Sequence, residues 1–376
     1  MRTYIFIMAI GLLLASCNSP TTSDLPYLID LQNGITNISS VPLSSIGKSL
    51  EYVPLETDTS CLIQTISNAS LTDSFIFVSD YDRLLKFDNK GNFLKHIGTK
   101  GRGPGEYPSL GNFLVDDVNK EIFILSGRIV LVFDFEGNFI RDFKIDAPCR
   151  QFILDQNGEL IFHPFNLPHA GTDTVYSWYI TDRKGVVRTR LVNTLKRTNK
   201  GVIVPVSPLY MYNKTPHFME FGIDTLYGYR NDKKIPYAIF NHGNLKFPPD
   251  PAMDEVPGIN GKIWINEIKE TEKLFFVNLW RDLSDSISNS IYDKSSSSFT
   301  VLKTGGFTND IDGGLTFWPK KIINENLFLD YADAFQLITY ERKMHPDKSE
   351  PSTPFSEAVK QLSETSNPVL IILKNK

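Results

Sequence analysis

The charged and aromatic side chains best suited to do chemistry cluster in one glycine-rich segment, residues 98–108. It contains Lys100, Arg102, Glu106 and Tyr107. An arginine can bind a carboxylate or sulfate through two parallel hydrogen bonds. A carboxylate can accept hydrogen bonds from hydroxyls, and an aromatic ring can stack on a sugar or peptide. The segment therefore fits a mixed-charge binding loop. The alternative is that its glycines shape a tight passage, with Arg102 and Glu106 tying neighbouring elements together.

Sequence signatures of the common catalytic sites are missing. No Gly-Lys-Ser/Thr follows residues 98–108, so they are not a phosphate loop. There is no Gly-x-Ser-x-Gly elbow, and no pair of histidines has the spacing of a zinc site. Adjacent carboxylates such as Asp116 and Asp117 point to opposite faces of a strand, which argues against an acid/base pair. The six histidines are His96, His163, His169, His217, His242 and His345.

Composition sets broad limits on function. The 376 residues are 41% hydrophobic and include 26 Phe, which is ample for a large core. The formal net charge is -4 and no basic run occurs, so the footprint of a nucleic-acid-binding protein is absent. No apolar segment long enough to span a membrane follows the N-terminus.

The N-terminus has the pattern of a targeting segment. Arg2 precedes the apolar residues 5–14, and Leu-Ala-Ser-Cys follows at residues 14–17. This looks like a bacterial lipoprotein signal, which implies a signal peptide of residues 1–16 and a lipid on Cys17. The alternative is an ordinary secretory signal in which Cys17 is incidental. Residues 17–25 would form a flexible tether. Asn18 stands where an aspartate would favour retention at the inner membrane, which points to the outer membrane. No acidic cluster of the kind that resembles a surface-export signal follows it, which favours the periplasmic face over the cell surface.

Two further cysteines, Cys61 and Cys149, would lie in an oxidising compartment. They could form a disulfide that closes a long loop. The alternative is that each is a small buried hydrophobe in a separate structural unit. We favour the unpaired state, because sequence alone gives no sign of the close approach that a disulfide needs.

A repeated unit organises the chain over residues 75–145. Ile-Phe-Val at 76–78 and Lys-Phe-Asp-Asn-Lys-Gly at 86–91 have counterparts 46 residues later, and a third Asp-x-x-Gly turn occurs at 182–185. Each unit predicts four antiparallel strands, with the glycine supplying the turn between the last two. Division of the chain by this period gives six or seven units, and the strand count favours six.

The last unit differs from the others. Residues 314–318, 326–329 and 369–373 predict only three strands, with helices at 331–343 and 356–363 between the second and third. Residues 50–55 form one spare strand near the start. A closed circle of sheets would otherwise expose two edges, so we expect the spare strand to complete the last unit.

These motifs together resemble a known family. The Gly-x-x-Gly-x-Gly-Pro-Gly-Glu-Tyr connector at 98–107 is similar to that of NHL-type repeats. With the Glu-Tyr-Val-Pro-Leu opening at 51–55 and the Asn-Pro-Val-Leu ending at 367–370, the chain resembles the six-bladed β-propeller lipoproteins of Bacteroidota. The resemblance implies a single all-β propeller domain over residues 26–376, located in the cell envelope.

In a propeller, each blade runs from strand A at the centre to strand D at the rim. The D–A and B–C connections then emerge at one mouth of the central channel, where propellers usually bind ligands. Tyr210 is a further candidate for an exposed aromatic ring at this mouth. The predicted ligand-binding residues are Arg83, Arg102, Glu106, Tyr107, Arg128 and Trp178.

We therefore expect a non-catalytic binding or scaffolding module without a cofactor. Its partners would be the membrane through the lipid, and a glycan, a peptide or an envelope protein. The alternative is a lyase or hydrolase at the channel mouth, with a divalent metal held by residues from different blades. A third possibility is a purely structural envelope component.

Overall fold

A computed structural model describes residues 26–164, 174–193, 207–220, 222–248, 261–281, 286–344 and 353–375. The predicted signal peptide, the predicted lipid site at Cys17 and the predicted tether lie outside this part of the chain, as do His169 and His345. Six of the described sheets are arranged as the blades of a β-propeller, and a seventh, two-stranded sheet lies in the connector between blades 1 and 2. The predicted fold class is confirmed.

The first three blades each have four strands, named A to D from the centre outwards. Blade 1 consists of Asn68–Leu71, Phe75–Asp80, Arg83–Asp88 and Phe93–His96. Blade 2 consists of Asn112–Asp116, Glu121–Ser126, Ile129–Asp134 and Phe139–Lys144. Blade 3 consists of Cys149–Leu154, Leu160–Pro164, Tyr176–Thr181 and Val187–Val192.

The other three blades recruit strands from the N-terminal region. Blade 4 consists of Leu209–Tyr212, Thr215–Met219, Thr225–Arg230 and Lys233–Asn241, and Tyr27–Asp30 adds a fifth, parallel strand at its rim. Blade 5 consists of Ile263–Glu270, Leu274–Arg281, Ser286–Asp293 and Ser298–Leu302, with Ile38–Ser39 as the fifth strand. Blade 6 consists of Lys321–Asn324, Leu327–Ala332, Val369–Lys374 and Ser49–Pro54.

Short elements connect the blades. The connector between blades 1 and 2 contains two short strands, and helical turns lie in the N-terminal region and after blade 4. Two longer helices lie between strands B and C of blade 6. The helices and connector strands are Leu31–Gly34, Leu43–Ser45, Thr99–Lys100, Glu106–Tyr107, Gly243–Leu245, Ala334–Met344 and Pro354–Lys360.

The core is divided among the blade interfaces. The innermost strand of each blade contacts that of the next, and the innermost strand of blade 6 contacts that of blade 1. Six hydrophobic clusters fill the described interfaces, one between each pair of neighbouring blades. Strands B and C, such as Glu121–Ser126, are nearly continuous apolar runs because neighbouring blades cover both of their faces. Strand D of blade 2 lies at the rim and has exposed positions.

The repeated turn has a local explanation. In blade 2, Asp134 Oδ1 accepts a hydrogen bond from the Asn138 N–H at 2.8 Å, and Gly137 adopts a φ of +79°. The carboxylate replaces a backbone partner in the turn, and glycine takes the left-handed conformation without a steric penalty.

The predicted closure is confirmed. Ser49–Pro54 pairs antiparallel with Val369–Lys374, so one blade contains residues from both ends of the propeller domain. Pro54 lies at the end of its strand, where a missing backbone donor costs least. Phe355 of the inserted helix Pro354–Lys360 is fully buried against this blade.

Two predictions of strands or helices need correction, and one strand was missed. Strand A of blade 6 is Lys321–Asn324 and not residues 314–318, because Phe317 instead pairs with Phe307 and fills the interface between blades 5 and 6. The first helix of this blade begins at Ala334 rather than residue 331, since strand B extends to Ala332. Strand A of blade 4, Leu209–Tyr212, was not predicted.

The two remaining cysteines are unpaired, as favoured from the sequence. Cys61 and Cys149 are both buried, in clusters on different sides of the propeller. Burial raises the pKa of both thiols, to about 12 for Cys149. At neutral pH both are therefore protonated, which makes them inert core side chains.

Candidate functional site

A channel runs along the propeller axis between the innermost strands. Its upper half, at the mouth where the D–A and B–C connections emerge, is a cavity of about 910 Å³. Its lower half, at the mouth where the A–B turns emerge, is a cavity of about 860 Å³. The two halves adjoin, and we call them the upper and lower channel. Residues that line both are Asn68, Asn112, Glu267, Lys269, Lys320 and Lys321.

Amide side chains line the upper channel. Asn68 Nδ2 donates to Asn112 Oδ1 at 2.9 Å, which connects blades 1 and 2. Within blade 5, Asn278 Nδ2 donates to Asn289 Oδ1 at 2.8 Å. An amide both donates and accepts hydrogen bonds, so this wall suits a ligand with many hydroxyls or peptide groups. The amides of the upper channel are Asn68, Asn112, Gln151, Asn266, Asn278 and Asn289.

A bulge increases the polar surface contributed by blade 5. The pairing of its strands A and B shifts between Ile265 and Glu267. Adjacent residues of a regular strand point to opposite sides, but a bulge re-aims one of them. Asn266 and Glu267 consequently both line the channel.

Three lysines face the channel, and they differ in their partners. Lys269 forms an ion pair with Glu267, and Lys320 Nζ lies 2.6 Å from Asp330 Oδ1. Lys321 forms no ion pair within the described part of the chain. Burial lowers the pKa of Lys321 to about 8, so the ammonium is still mostly protonated at neutral pH. It is the channel cation best placed to meet a ligand.

A buried ion pair lies beside the lower channel. Glu270 Oε1 accepts from Lys294 Nζ and from the Tyr237 hydroxyl, both at 2.5 Å, and Oε2 accepts from the Tyr210 hydroxyl at 2.7 Å. We call these four residues the Glu270 cluster. Burial raises the pKa of the Glu270 carboxyl and lowers that of the Lys294 ammonium, while their mutual attraction opposes both changes. Tyr210 is therefore committed to this cluster.

The two predicted arginines outside the connector support loops on the upper face. Arg83 donates to the Leu62 carbonyl and forms an ion pair with Asp80. Arg128 Nη2 donates to the Asp146 carbonyl oxygen at 2.5 Å. Neither arginine lines the channel.

The glycine-rich connector is folded on itself. Its strand Thr99–Lys100 pairs in parallel with Glu106–Tyr107, and Glu106 Oε2 accepts from the Gly103 N–H at 2.7 Å. A Cβ placed on Gly101 would come within 1.9 Å of Glu106 Oε2, so a larger residue there would displace the Glu106 carboxylate. These contacts favour the architectural alternative, although Glu106 ties the loop to itself rather than to a neighbouring blade. Arg102 is exposed and forms no ion pair with a described residue.

The predicted aromatic residues are not exposed. Tyr107 and Trp178 are each 1% exposed. Trp178 stacks on Phe218 with ring centroids 4.6 Å apart, and the Tyr107 hydroxyl donates to the Ile97 carbonyl at 3.3 Å. The expectation of accessible rings was wrong for both, because large aromatic side chains in a propeller fill the space between blades.

The described residues contain no group of three or more His, Cys, Asp or Glu side chains arranged to hold a metal ion. His217 and His242 instead donate to backbone carbonyls two residues earlier in the chain. Asp116 accepts hydrogen bonds in its own turn, and Asp117 forms an ion pair with Lys120. The divalent metal considered from the sequence therefore has no ligand set among these side chains.

The channel residues were missed from the sequence. A single Asn or Lys in a short strand resembles an ordinary surface position, and only the fold brings six innermost strands together. The sequence did contain one usable signal. Strands B and C are apolar, whereas Asn68 and Asn112 at the start of blades 1 and 2 are polar, which indicates an innermost strand that faces water.

No helix in the described part of the chain is long and apolar enough to cross a membrane. No curated protein matches the sequence. Among solved structures, one similar chain is a Bacteroides fragilis protein described as exported. It shares 17% identity at a TM-score of 0.69, over 94% of this chain and 100% of that one. A member of the DUF4221 family from Bacteroides vulgatus shares 11% identity at a TM-score of 0.49, over 90% and 99% of the two chains.

The likeness to the Bacteroides fragilis protein agrees with the propeller architecture. The family model described as "Domain of unknown function (DUF4934)" matches residues 26–374, which is almost the whole chain. The match begins close to the first rim strand, Tyr27–Asp30, and extends through the last strand of blade 6, Val369–Lys374. The chain belongs to the DUF4934 family.

Proposed function

We propose that this protein is a non-catalytic binding module that takes a glycan into its upper channel. The observation that carries the proposal is the wall of six amide side chains beside an ammonium, Lys321, that forms no ion pair with a described residue. Amides satisfy the hydroxyls of a sugar by donating and accepting, and an ammonium adds attraction for hydroxyls or acidic substituents.

Two aromatic side chains extend the argument. Trp318 and Tyr331 line the same half of the channel and are partly exposed. Aromatic rings pack against the apolar face of a sugar while their polar atoms keep contact with water. A cavity of about 910 Å³ lies within the usual range for a ligand site and is open at the upper mouth.

The anchoring part of the proposal rests on the N-terminal sequence. Cys17 would carry the lipid, and residues 17–25 would tether the propeller to the periplasmic face of the outer membrane. Radiolabelled palmitate should enter the wild-type protein and not Cys17→Ser. Equal labelling of both would contradict a lipid at Cys17 and leave the channel proposal intact.

A ligand screen tests the channel. The full-length protein in detergent should be stabilised by members of a panel of neutral and acidic oligosaccharides, with peptides as the second panel. A ligand at a hundred times its Kd adds about 2.7 kcal/mol of stability. A shift with peptides alone would redirect the proposal to a peptide, and no shift with either panel would reject small-ligand binding in the channel.

Two variants locate the site. Lys321→Met should weaken oligosaccharide binding about ten-fold, because it removes the available ammonium of the upper channel. Lys90→Met removes the same charge from the exposed C–D turn of blade 1, on the opposite face, and should bind as wild type. Equal affinities for all three proteins would place the ligand outside the upper channel.

A further inference from the structure

A second pocket opens on the side of blade 4 that faces blade 5, at the end of the blade where the A–B and C–D turns lie. It has a volume of about 290 Å³. All of its lining residues belong to blade 4 or to the rim strand Tyr27–Asp30. Tyr212 and Asn213 line both this pocket and the lower channel, but the upper channel shares none of its lining. We call it the blade 4–5 pocket.

A missing side chain creates the space. Gly228 in strand C of blade 4 is paired directly with His217 in strand B. A Cβ on Gly228 would lie 3.3 Å from His217 Nε2 and 3.5 Å from Thr215 Cγ2, so any larger residue would fill the floor of the pocket. Gly228 does not have a positive φ, which means that backbone conformation does not require glycine there. Glycine at position 228 instead keeps open the space next to His217 and Thr215.

Tyrosines form the walls. The Tyr237 ring lies 4.3 Å from the His217 ring and meets Tyr27 edge-on at 5.7 Å. The hydroxyls of Tyr27 and Tyr212 form no hydrogen bond within the described part of the chain. Burial raises the pKa of both, to about 12 for Tyr212, so each can donate a hydrogen bond at neutral pH. Stacking faces next to free hydroxyls suit a sugar ring.

Arg230 gives the pocket its charge. Its Nε donates to Thr215 Oγ1 at 2.8 Å, which fixes the guanidinium at the pocket edge. The remaining guanidinium nitrogens form no ion pair with a described residue. The nearby ammonium of Lys294 is already neutralised by Glu270. A fixed guanidinium with free N–H groups is suited to a bidentate carboxylate.

His217 adds no competing charge. Burial lowers its pKa to about 3, so the imidazole is neutral at physiological pH. Its Nδ1–H donates to the Thr215 carbonyl at 3.0 Å. Among the described residues that line the pocket, Arg230 is therefore the one whose positive charge is available to a ligand. The pocket consequently favours an anion.

We propose that the blade 4–5 pocket binds a small sugar acid, with its carboxylate on Arg230 and its ring against Tyr212 and Tyr237. The volume is near the lower limit of ligand pockets and matches a single sugar residue. An unsubstituted aromatic acid fits less well, because it would leave the hydroxyls of Tyr27 and Tyr212 without partners.

Calorimetric titration of the full-length protein with D-glucuronate tests the proposal, with D-glucose as the uncharged match. We expect glucuronate to bind at least ten-fold more tightly than glucose. Arg230→Gln should weaken glucuronate binding at least ten-fold, and Gly228→Val should abolish it by filling the floor. Lys233→Gln removes a charge from the same turn but does not line the pocket, so it should bind as wild type.

Circular dichroism and the unfolding midpoint identify any variant that fails to fold, and Arg230→Gln alters only an edge residue. No glucuronate binding by the wild type would overturn the proposal, as would unchanged binding by both Arg230→Gln and Gly228→Val. Lys321→Met separates this site from the channel. If Lys321→Met and not Arg230→Gln abolished glucuronate binding, the sugar acid would occupy the channel and the pocket proposal would fail.

Discussion

Blades 1 and 2 and blades 4 and 5 share a strand order but use charged residues differently. In blade 1, Lys86 is buried, yet its ion-pair partner Glu136 in blade 2 is 66% exposed. Between blades 4 and 5 both partners are buried, since the side chains of Glu270 and Lys294 are 0% and 7% exposed. The first pair of blades keeps one partner in water, whereas the second encloses a complete ion pair.

The extra rim strands accompany this difference. Tyr27–Asp30 and Ile38–Ser39 cover the outer edges of blades 4 and 5. Tyr27 also packs against Tyr237 and Phe275, so the N-terminal strand helps to enclose the Glu270 cluster. The comparison shows that the regular repeats specify the propeller fold and not a binding site. The ion pair with both partners buried and the pocket lie in blades 4 and 5, which depart from the repeat.

The largest effect is expected at Glu270. Glu270→Gln should lower the free energy of unfolding by about 3–5 kcal/mol, because it leaves the buried Lys294 ammonium without a counter-charge. Denaturant unfolding followed by fluorescence measures the change. The matched variant Glu136→Gln, in blade 2, should unfold at the wild-type midpoint. Similar midpoints for the two variants would remove the distinction between the two pairs of blades.

Low pH should destabilise the protein through His217 in blade 4. Its folded-state pKa of about 3 lies below the usual value of about 6.5, so protons bind the unfolded state first as the pH falls. The contribution of the neutral His217 imidazole to the free energy of unfolding is fully present above pH 6.5. It decreases progressively towards pH 3, and the loss is about 2 kcal/mol at pH 5. His217→Phe should lack this component between pH 7.5 and 5. Parallel pH profiles for variant and wild type would contradict the assignment.

The connector of blades 1 and 2 should respond more weakly. Glu106→Ala removes the acceptor of the Gly103 N–H and should cost about 1–2 kcal/mol. Oligosaccharide affinity should remain unchanged, because the connector does not line the channel. Loss of affinity without loss of stability would reinstate the connector as a binding loop.

Arg102 should give the smallest effect. It is exposed in the same connector and has no ion-pair partner among the described residues, so Arg102→Ala should change stability by no more than about 0.5 kcal/mol. Thermal unfolding and oligosaccharide titration check both properties. A ten-fold weaker affinity would show that this exposed guanidinium meets the ligand after all.

Much of the fold was predictable because it follows from local rules. The Asp-x-x-Gly turns, the alternation of strands and the spare strand at residues 50–55 depend on contacts within one or two blades. Strand A of blade 6 was misplaced because the apolar Leu315, Phe317 and Trp318 look more like a strand than Lys321–Asn324 does. An innermost strand that faces water does not need an apolar pattern.

The candidate sites were not predictable in the same way. The pairing of strands within blade 4 brings His217 next to Tyr237, and the packing of blade 4 against blade 5 brings Tyr237 to Glu270. Trp178 and Tyr107 illustrate the opposite error. Aromatic residues suggest binding surfaces in a sequence, but both rings fill blade interfaces here.

The pairing that closes the propeller also sets an order of events during synthesis. Ser49–Pro54 is made early and has no partner until Val369–Lys374 has been made. At about 5–20 residues per second this interval is roughly 15–60 s. Until then the inner faces of blades 1 and 6 lack part of their cover, and unpaired strands are prone to aggregate. The propeller therefore cannot close before its last strand is available, and the pairing of Val369–Lys374 with Ser49–Pro54 completes the cover of these faces.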